Sequence, residues 1–265
     1  MTKAQSPLLH NRLFDTYPIL VHAAGKAEHL PLWPAVLRAA DGWSIDTRLD
    51  PNLTVITFNN GGTLDHAYKR LGLFEESLRR NGIDEIVVLG GAVAEWRYEL
   101  KITLLLDYLD TGPVKDFVLV ADSADVILAN DIGPLVQRFT ACGCRAVFNA
   151  ERRHYPRDLP RFDEEVAPGE FFPCLNSGIW IADREFAREL AAYCAALKVD
   201  KHRNCDQTRY KFAYRHFYPQ LRVDHRCLLF QNLNRVDGDV VALHQPDAAA
   251  VRGPAWKFLA RLAGR

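Results

Sequence analysis

Two carboxylates three positions apart, Asp122 and Asp125, stand between two apolar runs in VLVADSADVILAN, residues 118–130. Asp is common at such junctions, so the bland reading is a turn cap beside a solvated side chain. The chemical reading is a divalent-cation site. Mg²⁺ and Mn²⁺ take oxygen ligands, and two carboxylates near a diphosphate complete the shell with phosphate oxygens. D-x-x-D alone is a weak pattern; a position between a buried strand and a second apolar run strengthens it. Other residues carry plain alternatives of their own. Trp96 can anchor a core at a helix start, Asn176 can hold a turn before GIWIA, and Lys101 can be a solvated helix residue. Asp206 can cap QTRYKFAYRH by accepting a backbone N–H.

The elements that must position these residues alternate between β-branched runs and amphipathic segments. LTVITF (53–58) reads as a strand ending in the turn Asn59-Asn60-Gly61-Gly62. Thr63 opens a helical stretch that Asn81-Gly82 closes, EIVVLG (85–90) is the next strand, and WRYELKITLLLDYLD (96–110) the next helix. FVLVAD (117–122) lacks alternation, as expected of a strand buried on both faces. A helix from about 131 to 139 and the strand RAVFNA (145–150) follow. This rhythm predicts an α/β, doubly wound unit over 50–150, whose ligands bind at the carboxyl ends of the strands, where the two acids sit. Beyond 150 the pattern is less regular: a loop with Pro156, Pro160 and Pro168, then NSGIWIAD, a helix and short strands.

At 265 residues the chain can bury a substantial core as one large domain or two small ones. Lys plus Arg equals Asp plus Glu at 33 each, which argues against a nucleic-acid binder working by bulk charge and leaves only a local basic patch open. The N-terminus has no secretory pattern, and no segment approaches the roughly 20 apolar residues of a membrane span. Six cysteines without a paired framework (Cys142, Cys144, Cys174, Cys194, Cys205, Cys227) read as reduced, mostly buried thiols of a cytoplasmic protein.

VADSADVILA resembles the metal-binding segment of the glycosyltransferase domain found in procollagen lysyl hydroxylases and their viral and bacterial relatives. EWR (95–97), CLNSGIWIA (174–182), CDQTRY (205–210) and VDHRCLLFQNLN (223–234) agree with it in order, so the resemblance covers residues 53 to about 240. It implies a GT-A fold with a Rossmann-like mixed central sheet flanked by helices, a UDP-sugar donor, a hydroxyl-bearing acceptor and Mn²⁺ or Mg²⁺. Position by position, Asp122 and Asp125 would bind the metal and the donor ribose-diphosphate, and Trp96 would wall the uracil. Lys101, Asn59 and Ser123 would join the donor side, while Asn176 and Asp206 would line the sugar and acceptor side as the catalytic pair. Two departures stand out: HRNCDQ replaces a run of acids before DQ, and Ile179 replaces a second glycine after LNSG.

Such enzymes complete the metal with a histidine near the C-terminus, followed by Gly and Lys. His244, with Gly253 and Lys257 beyond it, occupies that location. TYPILVHAAGKAEHLPLWP (16–34) matches more closely, offering His22, Gly25 and Lys26. The resemblance therefore points to a circularly permuted order, or to the tail of a neighbouring repeat. Residues 1–50 would then supply the last strand and metal histidine to a glycosyltransferase domain over 51–265. His22 is the first choice as third ligand and His244 the reserve. The leading expectation is a metal-dependent glycosyltransferase; a Mg²⁺-dependent phosphohydrolase and a non-catalytic nucleotide-sugar or carbohydrate-binding protein are the alternatives.

Overall fold

The computed structural model describes residues 6–62 and 69–243. The N-terminal segment forms β1 (Leu9–Asn11), β2 (Leu20–His22) and α1 (Trp33–Asp41). The α/β unit follows as β3 (Leu53–Phe58), α2 (Leu73–Arg80), β4 (Val87–Leu89), α3 (Leu100–Thr111) and β5 (Phe117–Asp122). Then come β6 (Val126–Leu128), α4 (Leu135–Ala141), β7 (Ala146–Glu151), α5 (Phe162–Val166) and β8 (Cys174–Asp183). The described chain closes with α6 (Arg184–Ala196), α7 (Asp206–Phe217), β9 (Leu221–Val223), β10 (Phe230–Asn232) and β11 (Val241–Leu243).

The unalternating runs become inner strands of a six-stranded mixed sheet in the order β4-β3-β5-β8-β7-β9. β3 pairs in parallel with β4 and β5, the arrangement that right-handed βαβ crossovers produce. β8 inserts antiparallel between β5 and β7, so its ten residues, LNSG included, span the sheet between the two halves. The strand thus begins at Cys174, ahead of Asn176, which sits within it opposite Asn149 and not in a turn before it. The sheet and its helices share one apolar core. Phe148 and Trp180 stack with centroids 5.2 Å apart, and Tyr210 of α7 leans on both. Each such fully buried side chain contributes about 1.5–3 kcal/mol.

VILA does not join this sheet. β6 pairs antiparallel with β2, which pairs in parallel with β10, making a second sheet of three short strands. The N-terminal segment is therefore built into the fold: Ile19, Leu20 and Val21 are fully buried.

Three predicted helices begin later than the apolar period suggests. Residues 63–68, where the second helix was expected to open, lie outside the described residues, and 69–72 are not helical. The Arg70 N–H donates to the Ala124 carbonyl at 3.0 Å, the Gly72 N–H donates to Ser123 Oγ at 2.8 Å, and Gly72 has φ of +88°. Tied across the acidic turn in this left-handed conformation, the chain can turn helical only at Leu73. α3 starts at Leu100 and not at 96: residues 96–97 are irregular and 98–99 a turn, with Trp96 lying back over Gly90. α4 starts at Leu135 and not near 131, because Asp131 commits its carboxylate to the Gly133 N–H and the Thr47 hydroxyl, a local competitor of helix.

Candidate active site

β5 carries Asp122 to the carboxyl edge of the sheet, and the 123–125 turn leads directly into β6. The β2–β6 register sets His22 opposite Val126, and the Ala23 N–H donates to the Asp125 carbonyl at 2.8 Å. Three potential ligands converge as a result: one ligand atom each of His22, Asp122 and Asp125 lies within 4.8 Å of the others. His22 Nε2 is 3.4 Å from Asp125 Oδ1. The reserve ligand, His244, lies outside the described residues.

The imidazole fits because position 178 has no side chain. A Cβ on Gly178 would stand 2.1 Å from His22 Cε1, so the LNSG glycine is the slot that receives the ring. On its other side, His22 Nδ1 meets Asn149 Nδ2 at 3.4 Å, while the buried Asn149 Oδ1 has no partner. A half-turn of that amide presents the carbonyl to Nδ1–H and frees Nε2 as a lone pair. That is the tautomer a metal-bound histidine adopts, with an outer partner fixing the ring. The donor set therefore fits a divalent cation: one imidazole and two carboxylates, with a partner ready to orient the imidazole.

Two lysines hold the acids. Lys69 Nζ is 2.6 Å from Asp125 Oδ2, and Lys101 Nζ is 2.6 Å from Asp122 Oδ1. Burial pushes the Asp122 carboxyl up and outweighs the pull of Lys101, leaving it above the ordinary Asp range. Burial acts the same way on Asp125, but His22 and Lys69 win and hold that carboxyl well below its usual range. Burial opposes the charge on Lys101, yet Asp122 and Asp206 more than compensate, so the ammonium is held more firmly than in water. Environments that push two neighbouring acids in opposite directions are characteristic of functional sites.

Lys101 also reaches Asp206 Oδ2 at 3.5 Å, and that oxygen accepts from Ser177 Oγ at 3.1 Å. Asp206 is thus not the helix cap. Cys205 holds the N-cap position without a side-chain bond, and the Asp206 carboxylate turns sideways to β8. Next to it, Gln207 Oε1 accepts from Asn176 Nδ2 at 3.3 Å and from the Ser177 N–H at 3.2 Å. Gln207 Nε2 donates to Glu151 Oε1 at 2.7 Å and to the Tyr155 carbonyl at 2.9 Å. Burial pushes the Glu151 carboxyl up to about 7 against the opposing pull of Lys211, Gln207 and His22.

The structure joins His22, Asp122, Asp125, Lys101, Asp206 and Asn176 in one contiguous network. Asn59 and Ser123 meet beside it, on Glu75. Asn59 Nδ2 donates to Glu75 Oε1 at 3.0 Å, and Ser123 Oγ lies 2.9 and 2.7 Å from the two Glu75 oxygens. The Ser123 hydroxyl is 2% exposed and committed there, so it braces the turn beneath the acids. Trp96 is half-buried over Gly90, and Lys26 is exposed in the turn after β2. Sequence reasoning missed Lys69, Glu75, Asn149, Glu151, Gly178 and Gln207. Glu151 had a usable signal, since it ends a buried strand as Asp122 does.

Strand-end carboxylates, a facing histidine and a mixed sheet with one parallel half define a GT-A-type α/β domain. The family of PLOD GT domains matches residues 52–257, and the chain belongs to that glycosyltransferase family. Procollagen-lysine,2-oxoglutarate 5-dioxygenase 1 of Mus musculus is 28% identical over 238 residues, covering 86% of this chain and 31% of the relative. The multifunctional procollagen lysine hydroxylase and glycosyltransferase LH3 of Homo sapiens is 28% identical over 203 residues, covering 74% and 25%. The chain thus spans a quarter to a third of the length of these relatives. Among solved structures, a glycosyltransferase involved in glycosylation of the major capsid of PBCV-1 aligns over 65% of this chain and 81% of that one, at 14% identity and a TM-score of 0.43. β2, which carries His22, precedes the family-matched region.

Proposed function

We propose that this domain transfers a sugar from a UDP-sugar to a hydroxyl-bearing acceptor, with Mn²⁺ or Mg²⁺ held by His22, Asp122 and Asp125. The observation that carries this reading is the convergence of those three side chains at the carboxyl end of β5. When bound, the cation supplies charge neutralisation to the departing diphosphate. Lys69 and Lys101, already paired with the two acids, add positive charge in a buried setting where electrostatic help is strongest. Lys26, exposed four positions after His22, is the candidate for the outer phosphate. Asn59 and Trp96 contribute the nucleoside side. Asp206 and Asn176, fastened through Ser177 and Gln207, fix the sugar and acceptor side.

The two hydroxyls at these strand ends do not favour a phosphohydrolase. Thr57 Oγ1 donates to the Ala121 carbonyl, and Ser123 is engaged by Glu75. A UDP-sugar screen for Mn²⁺-dependent hydrolysis tests the proposal without an acceptor. Turnover of at least one donor, abolished by chelator, is expected. Calorimetric binding of UDP with Mn²⁺ but no turnover of any donor would leave a binding protein instead.

A further inference from the structure

A second group of ligand-type side chains lies outside this site, in the connection between β7 and β8. One ligand atom each of His154, Glu164 and Cys174 falls within 4.8 Å of the others. His154 belongs to the connecting loop, Glu164 to α5, and Cys174 opens β8. Cys174 Sγ lies 3.5 Å from Glu164 Oε1, while Arg161 takes the other carboxylate oxygen at 3.0 Å. The oxygen facing the thiol therefore has no competing cation.

The His154 side chain is 1% exposed, and its Nε2 has no hydrogen-bond partner. The other ring nitrogen faces the pair beside it: Nδ1 is 3.1 Å from Asp163 Oδ1, to which an Nδ1–H donates, with Lys211 Nζ 3.2 Å away. Asp163 is itself pinned by the Leu175 N–H at 3.0 Å and by an ion pair with Lys211. The Asp163–Lys211 pair accounts for Nδ1 and leaves Nε2 unexplained. An orphaned buried polar atom costs about 1–3 kcal/mol, so it calls for a partner. A carboxylate on one imidazole nitrogen with the other nitrogen bare is the arrangement by which proteins orient a metal-ligating histidine.

We propose that His154, Glu164 and Cys174 hold a Zn²⁺ ion, with water as the fourth ligand, that staples the β7–β8 connection to the first residue of β8. A thiolate, an imidazole and a carboxylate match Zn²⁺, whereas the oxygen-rich set around Asp122 matches a harder cation. The ion and Lys211 offset the thiolate, Glu164 and Asp163, and Arg161 on the solvent side of Glu164 adds one further positive charge. Burial disfavours a free Cys174 thiolate, and coordination to the cation reverses that preference. Glu164, whose side chain is 31% exposed, gives the ion a route from solvent. The staple would bear on the active site from two sides. Cys174 is two residues before Asn176, and the residue after His154, Tyr155, offers its carbonyl to Gln207.

The test uses the full chain with Asp122→Asn and Asp125→Asn, so that the first site does not contribute, exchanged into Zn²⁺ or Co²⁺ and desalted. About one retained equivalent of zinc is expected, with a near-ultraviolet thiolate-to-cobalt charge-transfer band in the Co²⁺ form. Cys174→Ser should lose both, and His154→Asn should weaken zinc at least tenfold. The proposal is overturned if the double variant with Asp122→Asn and Asp125→Asn shows no band, a result that needs no change at Cys174 or His154. It is equally overturned if the band persists in Cys174→Ser, since the other cysteines would then be its source.

Discussion

A methyl group at position 178 would occupy the space of the His22 ring, as the 2.1 Å approach to Cε1 shows. Gly178→Ala must therefore displace the imidazole or the strand. We expect Mn²⁺ affinity, measured by calorimetry, to fall about 10–100-fold, the range found when the support of a metal ligand is lost. Overpacking would add a stability cost of about 1–3 kcal/mol. Asp125→Asn keeps shape and removes charge, so Mn²⁺-dependent donor hydrolysis should drop at least about 100-fold while thermal unfolding stays cooperative. Glu151 gives a pH signature. Its carboxyl sits near 7 in the folded protein and near 4.5 when unfolded, so between these values only the folded state keeps the proton. Stability from this group is full below about 4.5 and is lost as pH rises through 7, by about 3 kcal/mol. Urea titrations at pH 5 and pH 8 should show that Glu151→Gln removes most of that difference. The acids at 122 and 125 were legible because a buried strand ending in a carboxylate is a local pattern. Lys69 was not, because the helical period runs through it unbroken although the chain there is looped. Gly178 owes its role to a ring 156 positions away, which no local pattern encodes.

β2 is three residues long, yet it bridges β6 and β10, and Leu20 is fully buried. Leu20→Ala should cost about 2–5 kcal/mol in chemical denaturation, as large-to-small core changes do. It should also loosen metal binding, because His22 is on the same strand. The central strands were readable from sequence: β3 and β5 match the expected runs to the residue, as unalternating β-branched segments buried on both faces should. Helix starts were not. α2 is delayed by bonds to the distant acidic turn, α4 by the Asp131 carboxylate bonding Gly133 and Thr47, and α3 by the irregular stretch in which Trp96 lies over Gly90. β8 was underestimated for a related reason. Asn176 and Ser177 near its start look polar in sequence, but both are satisfied by Gln207 and so can lie in a buried strand.

The family match begins at residue 52, whereas the histidine that meets Asp122 and Asp125 comes from residue 22. We propose, as the sequence pattern suggested, that the order of elements is permuted relative to the family. Coupled ligand binding checks this at the scale of the whole molecule. Mn²⁺ with UDP at about 100 times its Kd should add about 2.7 kcal/mol of stability, read as a higher Tm. His22→Ala should abolish the Mn²⁺-dependent part of that rise. An undiminished rise would return the third ligand to the region of His244.

The pairing of β2 with β10 joins positions roughly 210 residues apart, His22 opposite Asn232. At about 5–20 residues per second, a ribosome releases β10 about 10–40 s after β2. Throughout that interval β2 has β6 at most beside it, and one edge of the strand bearing the imidazole is open. A chain grown past Asp125 but not yet to β10 thus holds His22, Asp122 and Asp125 without the frame that gathers them. The three side chains are gathered in their full frame only once β10 has been made.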